Sequence, residues 1–377
     1  MATTCSSCGA ENLNYGPYPG RVPIDLTGDY YQILRTAEQA QRDAQDDILP
    51  DRPGKERKHP SRLLIFAMIL IAVLLVGAVA LLTVQVINGR ESHPTEYPTH
   101  RPISIIGNRG FTHANGVVGG GGTQPDPYII ANWDINASTK YGIWIQDADA
   151  YFMVRNCSVH DGSFRNPGIY LQNCVNGTLE NNNCSNDLAA IILDSSRNNT
   201  LINNTCGSNV GTYDIQLTSS NHNMLISNTC NSNYGECIFL DSSSGNVISN
   251  NTCSSNGDLG IYLISSSNNN EISRNLVCSN AGSGVGIGSG SGNCVWNNTF
   301  VDNHGATDTY NKSHAQAYDD GTNNWWNSTG GYGNYWSDWT TPDAVPPWGM
   351  VDHPYNMSGS AAARDNYPLT RPPVPIP

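Results

Sequence analysis

The chain has 377 residues, 14% of them charged, and a formal net charge of −13 at pH 7. That length leaves room for more than one domain, and Ile, Leu and aromatic residues recurring in register exclude a disordered acidic chain. The acid excess is uneven: residues 88–377 carry 11 basic and 23 acidic groups, a balance of −12, which repels phosphate backbones and excludes nucleic acid as a partner. Acidic polysaccharides are disfavoured for the same reason unless a cation bridges.

Residues 1–20 contain Cys5-Ser6-Ser7-Cys8-Gly9, one knuckle of a zinc ribbon. Zinc takes four ligands, so Cys5 and Cys8 hold it only with a second chain or a partner protein; a plain polar N-terminus is the other reading. Residues 21–62 read as a cytoplasmic helix (Asp29 to Leu49, with a thin stripe of Tyr30, Leu34, Ala37, Ala44 and Ile48) followed by a basic linker. Leu63 to Ile87 is uncharged over 25 residues. As a helix it reaches ~37 Å, enough to cross a ~30 Å hydrocarbon layer. Arg52, Lys55, Arg57, Lys58 and Arg62 precede it, which places the N-terminus in the cytoplasm and residues 88–377 outside. Gly77-Ala78-Val79-Ala80 would suit a signal-peptide cleavage site, but the 62-residue leader favours an uncleaved signal anchor. All eleven Asn-x-Ser/Thr sequons, from Asn136 to Asn356, lie beyond it, so those facing solvent are open to glycosylation.

Residues 88–102 form a Pro-rich stem. Beyond it, Asn182, Asn204, Asn228, Asn251, Asn275 and Asn298 recur at intervals of 22, 24, 23, 24 and 23 residues. A period near 23 with two short strands per repeat describes a solenoid over residues 103–303, including a lead-in. Seven coils open at Ile143, Ile169, Ile191, Ile215, Ile238, Ile261 and Val285. A second strand presents Phe152, Leu179, Leu201, Leu225, Ile248, Ile272 and Val295 at one position. The Asn column is a ladder device: each amide can bond the next amide and a turn backbone group. Cys184, Cys206, Cys230 and Cys253 form a second column, open to three readings: an inert thiol stack, one or two disulfides, or a soft-metal site. Residues 304–370, rich in Trp (Trp325, Trp326, Trp336, Trp339, Trp348), read as a cap, and residues 371–377 as a loose tail.

Alternation along the strands predicts which residues face out. Between the inward Ile and Leu the outward residues run Trp144, Tyr170, Ile192, Gln216, Phe239, Tyr262 and Gly286. The next outward file runs Gln146, Gln172, Asp194, Thr218, Asp241 and Ile264. Trp144, Tyr170, Phe239 and Tyr262 beside Gln146 and Gln172 suit a sugar chain, because aromatic faces take C–H groups and amides take hydroxyls. Covering by a second copy is the competing use of such a face. Asp194 and Asp241, two coils or ~9.6 Å apart, are the one pair with hydrolase-like spacing. Arg155, Arg165, Arg197 and Arg274 are the only basic residues between 141 and 311, and they share no position beside acids as a lyase would need.

The lead-in Gly107-Asn108…Phe111-Thr112…Asn115-Gly116-Val117-Val118 with Asp126-Pro127-Tyr128-Ile129-Ile130 resembles the opening of NosD-like β-helix proteins of archaea, of the membrane-anchored surface type. Ile248-Ser249-Asn250-Asn251-Thr252 and Gly260-Ile261-Tyr262-Leu263 are similar to the family's repeat. Gly333-Asn334-Tyr335-Trp336-Ser337-Asp338, Asp352-His353-Pro354-Tyr355 and Asp365-Asn366-Tyr367-Pro368-Leu369 are similar to its ending. The resemblance, over roughly residues 100–370, implies a right-handed parallel β-helix. No copper site carries over. A calcium-like acidic run common in the family is reduced here to Asp343 within Pro342–Gly349, one carboxylate where calcium takes several oxygens. Three functions fit: a surface protein that binds or scaffolds, with glycan as candidate ligand; a polysaccharide lyase, hydrolase or epimerase; or an oligomeric envelope component.

Overall fold

The computed structural model describes residues 97–344 and 349–376. Each coil contributes three short strands rather than two. One coil runs Ile191–Asp194, Thr200–Ile202 and Thr205–Gly207; the next runs Tyr213–Thr218, Met224–Ile226 and Thr229–Asn231. The extra strand, which turns Cys206 inward, was hidden because it begins directly after the ladder Asn and so reads as part of the bend. Stacked coils build three sheets. Sheet 1 has nine strands, from Ile103–Ile106 to Ala317–Asp319. Sheet 2 has nine, from Val117–Gly119 to Cys294–Trp296, and sheet 3 has ten, from Thr99–His100 to Tyr335–Trp336. Apart from the hairpin of Val117–Gly119 with Tyr128–Ala131, neighbours in these sheets run parallel. The chain is an all-β parallel solenoid.

Register turns the repeat into files of touching side chains. Ile143, Ile169, Ile191, Ile215, Ile238, Ile261 and Val285 stand one above another in sheet 1, extended by Ile103 and Ala317. All are buried. Each such aliphatic side chain stabilises by ~1.5–3 kcal/mol relative to exposure. In sheet 2, Leu179 through Val295 form a file that continues to Val154 and Ile130, not to Phe152. Phe152 pairs instead with Gly177, where any Cβ would strike its ring.

Bends between sheets 2 and 3 pass through the left-handed region at Asn181, Asn203, Ser227, Asn250, Arg274 and Asn297, with φ from 54 to 58°. Asn adopts that region more readily than most residues. The residue after each bend is the ladder Asn. Its Nδ2 donates to the next Oδ1 from Asn182 through Asn204, Asn228, Asn251, Asn275 and Asn298 to Asn334, at 2.9–3.0 Å. Each Oδ1 from Asn204 to Asn334 also accepts from the backbone N–H of the preceding ladder residue. Three further ladders went unread in the sequence. Asn199, Asn223, Asn246, Asn270, Asn293 and Asn324 form one. Asn233, Asn256, Asn280, Asn303 and Gln316 form another. Ser196, Ser220, Ser243 and Ser267 are linked from backbone N–H to Oγ. Buried polar corners are thereby satisfied coil by coil.

The C-terminal end of the core is sealed by aromatic rings. Trp336 stacks on Phe300 at 4.3 Å and on Tyr355 at 4.1 Å, and its Nε1 donates to Asp365. Trp326 Nε1 donates to Asp319 at 2.9 Å. Val374, in the C-terminal tail, exchanges two hydrogen bonds with Thr299. Cys5, Cys8, the head helix, the Leu63–Ile87 segment and Trp348 lie outside the described residues. Among the described residues, no helix is long and apolar enough to cross a membrane.

Candidate binding cleft on sheet 1

The outward face of sheet 1 begins with the file Ser104, Trp144, Tyr170, Ile192, Gln216, Phe239, Tyr262, Gly286 and Tyr318. A cleft of about 620 Å³ opens at its N-terminal end, lined by Ser104, Lys140, Tyr141, Trp144, Asn166, Tyr170 and Gln172 among others. A second hollow of about 330 Å³ shares Tyr141 and Tyr170, then continues past Arg165, Ile192, Asp194, Gln216 and Thr218. Five strands contribute, so the two together extend ~19 Å along the stack.

Tyr141 organises the walls. Its ring meets Trp144 edge-on at 6.0 Å and Tyr170 edge-on at 5.4 Å. Such T-shaped contacts hold rings upright and leave faces open. Tyr170 Oη donates to Asp194 Oδ2 at 3.0 Å, which orients both side chains between the two hollows. Burial and the neighbouring Asp194 push the Tyr170 phenol up to about 12, so it remains a donor at neutral pH. Asp194 also accepts from Ser195 Oγ at 2.9 Å. Trp144 differs from its neighbours: its Nε1 is buried with no acceptor in the structure. A lone buried indole N–H is a cost, and because the atom presents no surface to the cleft a ligand would reach it only after a side-chain shift.

The expected face is therefore divided. Trp144, Tyr170 and Gln172 meet in the first cleft. Gln146 lines neither hollow and donates to Asp147 at 3.1 Å. Phe239 does not face solvent: it is 3% exposed beneath Tyr213, which stacks on it at 3.7 Å. Tyr262 belongs to this second aromatic group, tilted against Phe239 and Tyr318. Ile192 and Gln216 separate the two groups. Asp194 lies in the second hollow, Asp241 lines neither, and Thr218 stands between them in the file. Sequence alternation missed Tyr141 and Tyr213, which sit two residues before the first inward Ile of their coils. Strict alternation counted back from Ile143 and Ile215 would turn both inward; Gly142 and Asp214 face the interior instead, which breaks the parity and turns both tyrosines out.

A second cluster of chemistry lies inside the coil. Cys184, Cys206, Cys230 and Cys253 stack in sheet 3, yet members of this file do not bridge each other. Cys253 is joined to Cys237 on sheet 1, and the other three are free and buried. Asp214 is fully enclosed beside Cys230, with Asn209 Nδ2 donating to Oδ1 at 2.5 Å and Asn233 Nδ2 to Oδ2 at 2.8 Å. Desolvation pushes its carboxyl up to about 7.

The solved structures similar to this chain include two alginate epimerases. The periplasmic enzyme AlgG is 17% identical with a TM-score of 0.39, covering 52% of this chain and 55% of its own. The AlgE4 A-module of Azotobacter vinelandii, a mannuronan C-5 epimerase, is 12% identical with a TM-score of 0.33, covering 55% of this chain and 65% of its own. The chain thus spans about half to two thirds of their lengths, and likenesses this distant concern the solenoid alone. No curated protein matches. Residues 104–341 match the family described as periplasmic copper-binding protein (NosD), well over half of the chain, and the protein is a member of that family.

Proposed function

We propose that this is a membrane-anchored surface protein whose solenoid binds a neutral glycan in the cleft between Ser104 and Thr218. The observation that carries the reading is the cleft of about 620 Å³ walled by the rings of Tyr141, Trp144 and Tyr170, with polar side chains set among them. Aromatic rings offer faces to sugar C–H groups, and Gln172, Asn166 and Ser104 supply the few polar contacts that fix orientation. The balance of −12 over residues 88–377 favours neutral over polyanionic chains. The family description as periplasmic supports an exported solenoid. The uncharged Leu63–Ile87 segment and the basic residues before it support a single anchor with the solenoid outside.

Binding is favoured over catalysis because the hollows contain one carboxylate between them, Asp194, where hydrolysis needs a pair. The tyrosine beside it keeps its proton and so supplies no base at neutral pH. The test is a glycan array probed with the full chain and with Trp144→Ala, Tyr170→Ala and Tyr262→Ala. Neutral oligosaccharides are expected to bind, with the signal lost in the first two variants and kept in the third. Silence across the array, or binding indifferent to Trp144 and Tyr170, overturns the assignment.

A further inference from the structure

Inside the coil, the residue just before the first inward side chain of sheet 1 faces the inward residue of sheet 3. Gly142 faces Val159, Gly168 faces Cys184, Gly260 faces Val277 and Gly284 faces Phe300, each so closely that a Cβ would crowd its partner. Register puts Ala190 opposite Cys206, Asp214 opposite Cys230 and Cys237 opposite Cys253. Six of these seven positions hold Gly, Ala or the disulfide cysteine. The seventh holds a carboxyl, in a dry interior where such a group is expensive. Two ladder amides are spent on it: Asn209 turns its Nδ2 to Asp214 Oδ1 and Asn233 gives its Nδ2 to Oδ2.

We infer that Cys206, Cys230 and Asp214 form a buried site for one Cu(I) ion. Their ligand atoms, two sulfurs and one carboxylate oxygen, all lie within 4.8 Å of one another. Three donors ~2.3 Å from a central ion sit ~4 Å apart, so an ion fits among them with little movement. The donor set selects the metal. Structural zinc takes four ligands, and calcium or magnesium takes oxygens throughout. The two thiols suit Cu(I), with the carboxylate oxygen as a weaker third donor, and copper is the metal that the family description names. On binding, both thiols and the carboxyl would give up their protons to solvent as two sulfur–copper bonds and one oxygen–copper bond form, and copper stays monovalent, so no oxidant or reductant is required. The Asn209 and Asn233 N–H groups donate one to each carboxyl oxygen and fix the orientation of the carboxyl. Cys253 is excluded by its disulfide, and the carboxyl-bearing coil is the one that singles out Cys206 and Cys230 from Cys184. Because all three residues are buried, the ion enters as the coil closes during folding.

The test folds the full chain anaerobically with Cu(I), washes it with a Cu(I) chelator, and measures copper per chain by mass spectrometry. The same is done for Cys5→Ser/Cys8→Ser, Cys184→Ser, Cys206→Ser/Cys230→Ser and Asn209→Ala/Asn233→Ala. About one copper per chain is expected to survive the wash in the wild type, in Cys184→Ser and in Cys5→Ser/Cys8→Ser. The Cys206→Ser/Cys230→Ser variant should lose it, and the amide variant should hold it ~10–100-fold more weakly. X-ray absorption on the wild type needs no variant to fold and should show two sulfurs and one oxygen around copper. A copper-free wild type, copper retained without Cys206 and Cys230, or a copper shell lacking sulfur overturns the site.

Discussion

Replacing Asn228 by Ala removes four hydrogen bonds from the middle of the main ladder. Nδ2 donates to Leu201 O and to Asn251 Oδ1, both at 3.0 Å. Oδ1 accepts from Asn204 N at 3.0 Å and from Asn204 Nδ2 at 2.9 Å. The partners do not suffer equally. Asn204 Nδ2 keeps Leu179 O at 2.9 Å, and Asn251 Oδ1 keeps the Asn228 N–H at 2.8 Å. The Asn204 backbone N–H loses its acceptor in a corner that water does not reach. One orphaned buried donor costs ~1–3 kcal/mol, and that is the loss expected. Urea denaturation should show a lower midpoint at unchanged slope. Solenoids can melt in parts, so amide exchange should place the loss at Asn204 and its neighbours. Asn228→Asp should be worse at neutral pH, since it keeps the acceptor but turns a second oxygen towards Leu201 O and Asn251 Oδ1. An unchanged midpoint together with a protected Asn204 amide would refute the reasoning.

Trp336→Ala should cost ~3–5 kcal/mol and expose the end of the core to a hydrophobic dye, because the ring fills the space between Phe300 and Tyr355; an unchanged midpoint without dye binding would contradict this. Burial pushes the carboxyls of Asp187 and Glu236 up to about 7 in the folded chain, against ~4 when unfolded. Folded-state protons are then retained between those values, so their contribution is fully present below ~pH 4 and is lost as pH rises towards 7. Urea midpoints should therefore fall less from pH 5 to pH 8 in Asp187→Asn/Glu236→Gln than in the wild type; parallel profiles would count against it. Asp214→Cys should form a second disulfide with Cys230, since the two positions match Cys237 and Cys253 one coil on. Alkylation mapping would find both thiols reactive in the denatured, unreduced protein if that equivalence is wrong.

The stacking of coils was legible because a 23-residue period repeats through Asn204, Asn228 and Asn251, and each ladder member carries the same polar requirement. The inward files were legible for the same reason: Ile191 and Leu193 alternate around one outward residue. Three features were not. The sheet 3 strands begin directly after the ladder Asn, so their short run was absorbed into the bend. Phe239 reads as outward by alternation and points that way, yet Tyr213 from the preceding coil lies across it. Burial there is decided by a residue one turn away. The Cys237–Cys253 bond crosses between sheets, and only the spatial pairing of Gly142, Gly168, Gly260 and Gly284 with large partners reveals that such a crossing exists. The same holds for the cleft, whose organiser Tyr141 stands outside the strand that begins at Ile143.

Hydrogen–deuterium exchange on the full chain, with and without the neutral oligosaccharide that binds it most tightly on the array, tests the cleft most directly. Protection is predicted in the segments that line the cleft, residues 102–104, 139–146, 165–172, 188–194 and 216–218, and strongest where Tyr141, Trp144 and Tyr170 meet. Protection centred instead on residues 259–264 and 317–319, around Tyr262 and Tyr318, or spread over no segment of sheet 1, would contradict the account.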